Sequence, residues 1–354
     1  MKIALVTDAW HPQVNGVVRT LETVVGILRN WGHEVLIISP DQYRSVAAPS
    51  YPEIRLAMTR ARSVGRRISK FNADAVHLAT EGPLCLSARR WCRRNKFPFT
   101  TAYHTQFPEY LAKRTHLSPR IFWHYIRWFH GRSQAIMAST ESVRQQLMGE
   151  RLPQVHHWSR GVDLTNFSPD APAPDLFKDL PRPIQLYVGR VAVEKNIEAF
   201  LQTDQRGSKV IVGDGPALDD LRLRYPEAYF LGRKSGRQLA GCYAGADVFV
   251  FPSKTDTFGL VLIEALACGT PVAAFPVTGP VDILTEKSGA MSKNLNHAIA
   301  VAQYLQPSDC LKRASHFNWT ASARQFLDGL ARIEPDQTAY MSRRFIAKAI
   351  FARV

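Results

Sequence analysis

The chain has 354 residues, of which 45% are hydrophobic and 10% aromatic; this excludes wholesale disorder and suits two domains of ~150–200 residues. Its 45 Lys and Arg outnumber 30 Asp and Glu for a net charge of +15, and no run approaches the roughly 18 apolar residues of a membrane-spanning helix. Met1-Lys2 leads straight into Ile3-Ala4-Leu5-Val6 without the pattern of a secretory signal, and five scattered cysteines lack any CxxC spacing, so reduced thiols in a cytoplasmic protein are expected, with neither a disulfide framework nor a zinc site.

In chain order, Ile3 to Thr7 reads as a strand, followed by a Pro/Asn/Gly loop and a helix over Val17 to Asn30. Strands follow at Glu34 to Ser39, Ala73 to Leu78, Phe99 to Tyr103 and Ala135 to Ser139. Apolar runs without period-two alternation, separated by helices, predict a parallel sheet covered on both faces. Basic residues crowd into this half: residues 1–160 hold 23 Lys and Arg against 10 Asp and Glu, and the rest hold 22 against 20. One cluster is Arg60, Arg62, Arg66, Arg67 and Lys70; a second is Arg89, Arg90, Arg93, Arg94 and Lys96. A third, from Lys113 to Arg132, is mixed with aromatics. Within it, Pro119 to Arg132 places Phe122, Tyr125 or Ile126, and Phe129 on one helical stripe, with Arg120 and Arg127 on another side. Such spacing suits a helix at an anionic membrane surface, with Arg120, Trp123, Arg127, Trp128 and Arg132 facing the lipid. An aromatic core helix with solvated arginines fits the same pattern.

The alternation stops near Asp163. Residues 166–183 hold Pro169, Pro172, Pro174, Pro181 and Pro183 and read as a linker after a first domain of residues 1–165. Strands resume at Ile184 to Val188, Lys209 to Val212, Tyr229 to Leu231, Val248 to Phe251 and Pro271 to Phe275, giving a second domain over 184–318. Asn318 to Ile333 reads as a final helix, assigned as a crossover over 319–333, and 334–354 as a basic amphipathic tail. The expected architecture is therefore two doubly wound α/β domains whose strand ends face each other across a ligand-binding cleft.

Candidate chemistry lies at those strand ends. In Phe251-Pro-Ser-Lys-Thr-Asp-Thr-Phe-Gly-Leu-Val-Leu-Ile-Glu264, a strand runs into a helix that Thr257 is placed to cap. The amides of Phe258, Gly259 and Leu260 would then face a phosphate, and Glu264, one turn on, could accept hydrogen bonds from paired hydroxyls. The near-continuous apolarity from Phe258 to Cys268 predicts a helix buried all round, in which a lone glutamate needs a partner. In Leu186-Tyr-Val-Gly-Arg190-Val-Ala-Val-Glu-Lys195, Gly189 lets the backbone approach a ligand, and Arg190 and Lys195 could clasp a diphosphate. Gly213-Asp-Gly215 is a partial glycine loop that reads equally as a tight turn. Asn15-Gly16 opens a helix after the first strand, and His104 stands just past another strand end.

Gly189-Arg190…Glu194-Lys195-Asn196, Gly213-Asp-Gly215 and Asp256-Thr-Phe-Gly…Glu264-Ala…Gly269-Thr-Pro-Val272 together resemble the retaining GT-B glycosyltransferases of family 4. Pro12-Gln-Val-Asn-Gly-Val, Tyr103-His-Thr and Arg160-Gly-Val-Asp163 match in order, so the resemblance spans residues 1 to about 330. It implies two Rossmann-like domains, an acceptor-binding first and a donor-binding second, with the last helix returning to the first. It also implies transfer from a nucleoside-diphosphate sugar with retention, no metal or other cofactor, and no protein nucleophile. Arg190 and Lys195 would stabilise the departing diphosphate, Glu264 would hold the ribose, and Gly232-Arg233 the base. His104 would touch the sugar, and Asn15-Gly16 would line the cleft floor. The family's two glutamates eight positions apart are here Asp256 and Glu264, so the shorter carboxylate reaches less far.

The segment Asp8 to Thr20 with Tyr103-His-Thr-Gln-Phe looks like the branch that includes glycolipid- and lipid-mannoside-forming enzymes. The expectation is hexose transfer to a membrane lipid such as diacylglycerol by a peripheral protein on the inner face of the cytoplasmic membrane. A UDP-sugar is favoured as donor, with GDP-mannose or a non-lipid acceptor as the alternative. A sugar-nucleotide epimerase needs no basic surface. A nucleic-acid partner is not expected, because Asp8, Glu109, Asp256 and Glu264 near the cleft would repel phosphate backbones.

Overall fold

The structure, a computed structural model, describes residues 1–13, 15–48, 51–115 and 117–333; the tail expected at 334–354 lies outside the described residues. Among the described residues, one sheet orders its strands Glu34–Ile38, Lys2–Val6, Ala75–Leu78, Thr100–Ala102, Ile136–Ala138 and Val155–His157. A second orders Tyr229–Phe230, Ser208–Val212, Ile184–Val188, Val248–Phe251, Val272–Ala274 and Gly289–Met291. Every pairing in both is parallel. This is the expected pair of doubly wound sheets, and in each the strand order reverses next to the first strand, which opens a crevice at the carboxyl ends.

The first strand shows why unalternated apolar runs succeed here. Ile3 and Leu5 face one side and pack with Leu21, Val24 and Leu28 of the Gly16–Asn30 helix. Ala4 and Val6 face the other side, with Val64 and Ile68 of Ala61–Phe71 and with Trp91. Each such Ile, Leu or Val side chain gains roughly 1.5–3 kcal/mol from burial, so both faces select apolar residues.

Four strands were not legible in the sequence. Ser45–Ala48 and Tyr51–Ala57 form an antiparallel pair, and Val155–His157 and Gly289–Met291 are edge strands. The last two have little strand preference of their own and take strand form from the neighbour they pair with. The final helix is shorter than expected, Trp319–Asp328. Beyond Gly329 the chain turns, Arg332 bridges Ala75, and the Ile333 N–H donates to the Asp74 carbonyl at 3.0 Å. Ala323, Phe326 and Leu330 join the core beneath the first sheet, and Ser322 Oγ accepts a hydrogen bond from Trp158 Nε1 at 3.1 Å. The last helix thus returns to the first domain.

His77, on the Ala75–Leu78 strand, is fully buried, with Nδ1 2.9 Å from Thr100 Oγ1 and its ring edge-on to Phe326. Burial pushes its pKa down to about 3. The unfolded chain takes up this proton near pH 6.5 and the folded chain does not, so stability is full above that pH and is lost as pH falls towards 3. The expected slope from this residue approaches ~1.4 kcal/mol per pH unit. Urea unfolding at pH 7 and pH 5 should show the drop, and His77→Gln should reduce it, leaving the share of other buried histidines such as His104.

Candidate active site

Loops from the carboxyl ends of both sheets meet across the cleft. Thr257 Oγ1 donates to the His104 carbonyl at 2.5 Å, and Thr140 Oγ1 donates to the Thr257 carbonyl at 3.4 Å. The Ser142 N–H and hydroxyl both donate to Asp282 Oδ1, at 2.9 and 3.0 Å. Gly16 opens the Gly16–Asn30 helix opposite Leu260, which opens Leu260–Ala267; a Cβ added to Gly16 would sit 3.5 Å from Leu260 Cδ1. Two helix N-termini therefore point into one space, the arrangement that favours an anion. The Asn15 side chain serves its own helix, accepting from the Val17 and Val18 N–H groups at 3.0 Å each.

The Leu260–Ala267 helix departs from expectation at its start. Gly259, with φ of 87°, takes the capping position, where a left-handed backbone suits glycine. Thr257, expected there, uses its hydroxyl across the cleft instead. Among the described residues, the N–H groups of Phe258, Gly259 and Leu260 donate to no protein acceptor. The expected all-round burial is present from Leu262 to Cys268. Glu264 is only 2% exposed, and both its oxygens are engaged: Arg19 Nη1 donates to Oε1 at 2.5 Å and the Tyr243 hydroxyl to Oε2 at 3.1 Å. The partner that a buried glutamate requires is thus an arginine from the other domain.

Beside this helix, Lys195 Nζ donates to Asp256 Oδ1 at 2.6 Å. Burial alone would raise the Asp256 pKa, but the Lys195 ammonium and its hydrogen bond outweigh it and hold the carboxyl below its usual range. Arg190 follows the Ile184–Val188 strand, and its carbonyl accepts from the Tyr187 hydroxyl at 2.8 Å. The two glycine loops are pressed together: a Cβ on Gly213 would lie 1.8 Å from the Gly189 carbonyl oxygen, which no side chain permits. The Gly213 N–H donates to the Gly232 carbonyl at 3.0 Å, and Arg233 next to it is exposed. This brings Gly189, Gly213 and Gly232 side by side along one edge of the cleft.

His104 is held from two directions. Its Nδ1 lies 3.0 Å from Arg160 Nη2, and its ring meets Trp158 edge-on at 5.3 Å. Burial, then the Arg160 charge, then His77 push its pKa well below 6.5. Because the guanidinium can only donate, Nδ1 accepts and Nε2 carries the proton. That Nε2 is buried without a protein partner. A neutral imidazole with one N–H reserved is a hydrogen-bond donor for a ligand.

The chain matches the family described as Glycosyltransferase Family 4 over residues 14–166 and Glycosyl transferases group 1 over residues 182–306. It is 34% identical over 308 residues to a "GDP-mannose-dependent alpha-mannosyltransferase" of Mycolicibacterium smegmatis, covering 80% of this chain and 82% of that one. The chain is a GT-B glycosyltransferase of family 4. The transferase is also 28% identical over 312 residues to an "Alpha-monoglucosyldiacylglycerol synthase" of Streptococcus pneumoniae, with 77% of this chain and 71% of that one covered. A solved sucrose-phosphate synthase from Thermosynechococcus elongatus shares its fold, with a TM-score of 0.75, 21% identity, and 98% and 99% of the two chains covered.

These likenesses overturn the expected donor. The motifs alone favour a UDP-sugar, whereas kinship to GDP-mannose-dependent enzymes supports the alternative. The expected membrane face is corrected as well. Trp123 is 4% exposed, stacks on Tyr103 with centroids 6.0 Å apart and donates Nε1 to Glu109 at 3.2 Å. Arg127 is half-buried and paired with Glu150 at 2.6 Å. Arg120, Trp128 and Arg132 remain exposed, so Pro119–His130 is in large part a core helix. Among the described residues no helix is long and apolar enough to cross a membrane.

Arg19, Tyr243 and Arg160 were not foreseen as parts of the site. Arg19 stands one turn after Asn15 and 245 positions from its partner. Its signal was the position, on the first turn of a helix already aimed at the cleft.

Proposed function

We propose that this glycosyltransferase is a GDP-mannose-dependent α-mannosyltransferase that transfers mannose with retention of configuration. The observation that carries this reading is its one-third identity, over most of both chains, to enzymes of that name. The second domain holds the donor. Gly232-Arg233 face the base, Glu264 accepts hydrogen bonds from the ribose hydroxyls, and Gly189 and Gly213 let the backbone close on the nucleotide. Arg190, Lys195 and the amides of Phe258, Gly259 and Leu260 surround the diphosphate. His104 donates Nε2–H to the mannosyl ring, above the floor formed by Asn15-Gly16.

As the bond from the anomeric carbon to the diphosphate oxygen breaks, negative charge gathers on that oxygen. Fixed cations and amides stabilise it there, without reorganising at the moment of reaction. The acceptor hydroxyl enters on the face the diphosphate leaves, and its proton passes to a phosphate oxygen. Asp256 keeps Lys195 extended towards the diphosphate. The acceptor sits against the first domain, whose basic surface and kinship to a diacylglycerol-glucosylating enzyme support an acceptor carried at an anionic lipid surface.

The test is thermal unfolding with GDP, UDP, ADP, GDP-mannose and UDP-glucose. A ligand at about 100 times its Kd adds about 2.7 kcal/mol. Stabilisation by GDP and GDP-mannose alone is the expected result; stabilisation by the uridine compounds alone would refute the donor.

A further inference from the structure

The second basic cluster has no role in the cleft. Pro83–Arg94 starts at the cleft and runs down the first sheet, so Arg90, Arg93 and Arg94 emerge at the opposite end, just before the Thr100–Ala102 strand begins. Arg132 arrives at the same end, between Pro119–His130 and the Ile136–Ala138 strand. Two adjoining cavities lie here. One, of about 270 Å³, is lined by Arg89, Arg90, Arg93, Arg94 and Trp128. The other, of about 330 Å³, includes Arg93, Lys96, Arg132 and Gln134 in its walls. Arg93 borders both, so they are two halves of one groove, and no carboxylate lines either half.

The groove is built rather than incidental. Arg89 is 1% exposed and spends its donors on the fold: Nε donates to the Phe129 carbonyl at 2.7 Å and Nη2 to the Trp128 carbonyl. Its guanidinium carbon lies 4.1 Å from the centre of the Trp128 ring. Arg89 thereby closes the last turn of Pro119–His130, whose end carbonyls would otherwise lack donors, and fixes the 46% exposed Trp128 as a wall. Around it, Arg90, Arg93, Arg94, Lys96 and Arg132 are all exposed, and among the described residues none has an ion-pair partner. Nearby, the half-buried Arg127 does find a carboxylate, Glu150.

We propose that this groove is a binding site for a phosphate-bearing group, separate from the donor and acceptor sites. Several guanidinium groups converging on one concavity call for a ligand with more than one negative charge. Their planar forks match phosphate oxygens in a way that lysine alone would not. The exposed Trp128 ring offers an apolar edge to whatever carries the phosphate. Its position at the far end of the sheet keeps the ligand out of the reaction, so occupancy adds to binding without competing for the cleft.

The phosphate could be free or borne by a lipid headgroup, and two probes separate these sources. Inorganic pyrophosphate is titrated while Trp128 fluorescence is followed as the difference between the native protein and Trp128→Phe. Phosphatidylcholine vesicles doped with phosphatidylglycerol are tested by co-sedimentation. Each is repeated with the triple variant Arg90→Gln, Arg93→Gln, Arg94→Gln, and with Arg60→Gln, Arg62→Gln, Arg66→Gln as a control that removes equal charge from another exposed helix of the same domain. The groove variant should bind at least one probe about 10-fold or more weakly, while the control changes far less. Loss confined to pyrophosphate identifies a soluble ligand; loss confined to vesicles identifies a headgroup. Equal losses in the two variants, or no binding of either probe to the native protein, would overturn the proposal. Circular dichroism of both variants should stay native, because the replaced side chains are exposed and hold nothing in place.

Discussion

Replacing Arg190 or Lys195 by alanine is expected to lower turnover by about 10²-fold or more, the scale of losing a principal stabiliser of an oxyanion. The effect should fall on kcat more than on KM, because the charge these groups meet is greatest when the glycosidic bond is breaking. Lys195 does not stand alone: Asp256 accepts its ammonium at 2.6 Å. That contact fixes where the ammonium points, and it also lessens the positive charge offered to the diphosphate. Asp256→Asn should therefore give a smaller loss than Lys195→Ala, with the misdirected lysine still present. Steady-state kinetics with GDP-mannose, varied for each variant, measure both. Near-normal kcat in Arg190→Ala and Lys195→Ala would remove these residues from the reaction.

The second large effect is expected at Glu264. With 2% exposure and both oxygens engaged by Arg19 and Tyr243, it is part of the fold, and under the proposed function it also meets the ribose. Glu264→Ala removes a charged acceptor of the ribose hydroxyls; hydrogen bonds to charged groups are worth ~1.5–3 kcal/mol, so the donor KM should rise about 10- to 100-fold. It also leaves the Tyr243 hydroxyl buried without its acceptor, so a drop in Tm should accompany the kinetic change. Arg19→Ala separates the two effects. It keeps the carboxylate for the ribose but breaks one of the ties between the domains. The cost should stay below the ~3–5 kcal/mol of a fully buried pair, because the Arg19 side chain is 44% exposed and solvent screens the charge. If Glu264→Ala leaves the donor KM unchanged, the ribose assignment is wrong.

Sequence and structure agree where local chemistry decides the outcome. Apolar runs flanked by glycine and helix starts gave the central strands of both sheets. The Leu260–Ala267 helix was legible as buried because its apolar residues leave no polar face. What escaped were facts about distant partners. Nothing near Glu264 names Arg19, and nothing near His104 names Arg160, although those arginines decide which atoms remain for a ligand. The Pro119–His130 helix failed in the same way. Its spacing allowed either a surface or a core, and only Tyr103 and Glu109, which pack on Trp123, settle the choice.

The return of Trp319–Asp328 to the first domain makes the two domains unequal as folding units. Phe326 and Ala323 lie in the same cluster as Ile3 and Leu5, and the Ser159 carbonyl accepts from the Ser322 hydroxyl at 2.7 Å. The second domain is therefore an insertion, threaded between two portions of the first. During synthesis the residues around 184–317 can complete their core while the earlier half still lacks its last helix. A fragment cut off near residue 165 would expose the apolar seat of Phe326 and should aggregate, whereas one from about residue 162 to 317 keeps the core beneath its own sheet, Phe167, Phe177 and Leu180 included. Joining the cut fragment directly to residues 319–333 through a short linker should restore its solubility.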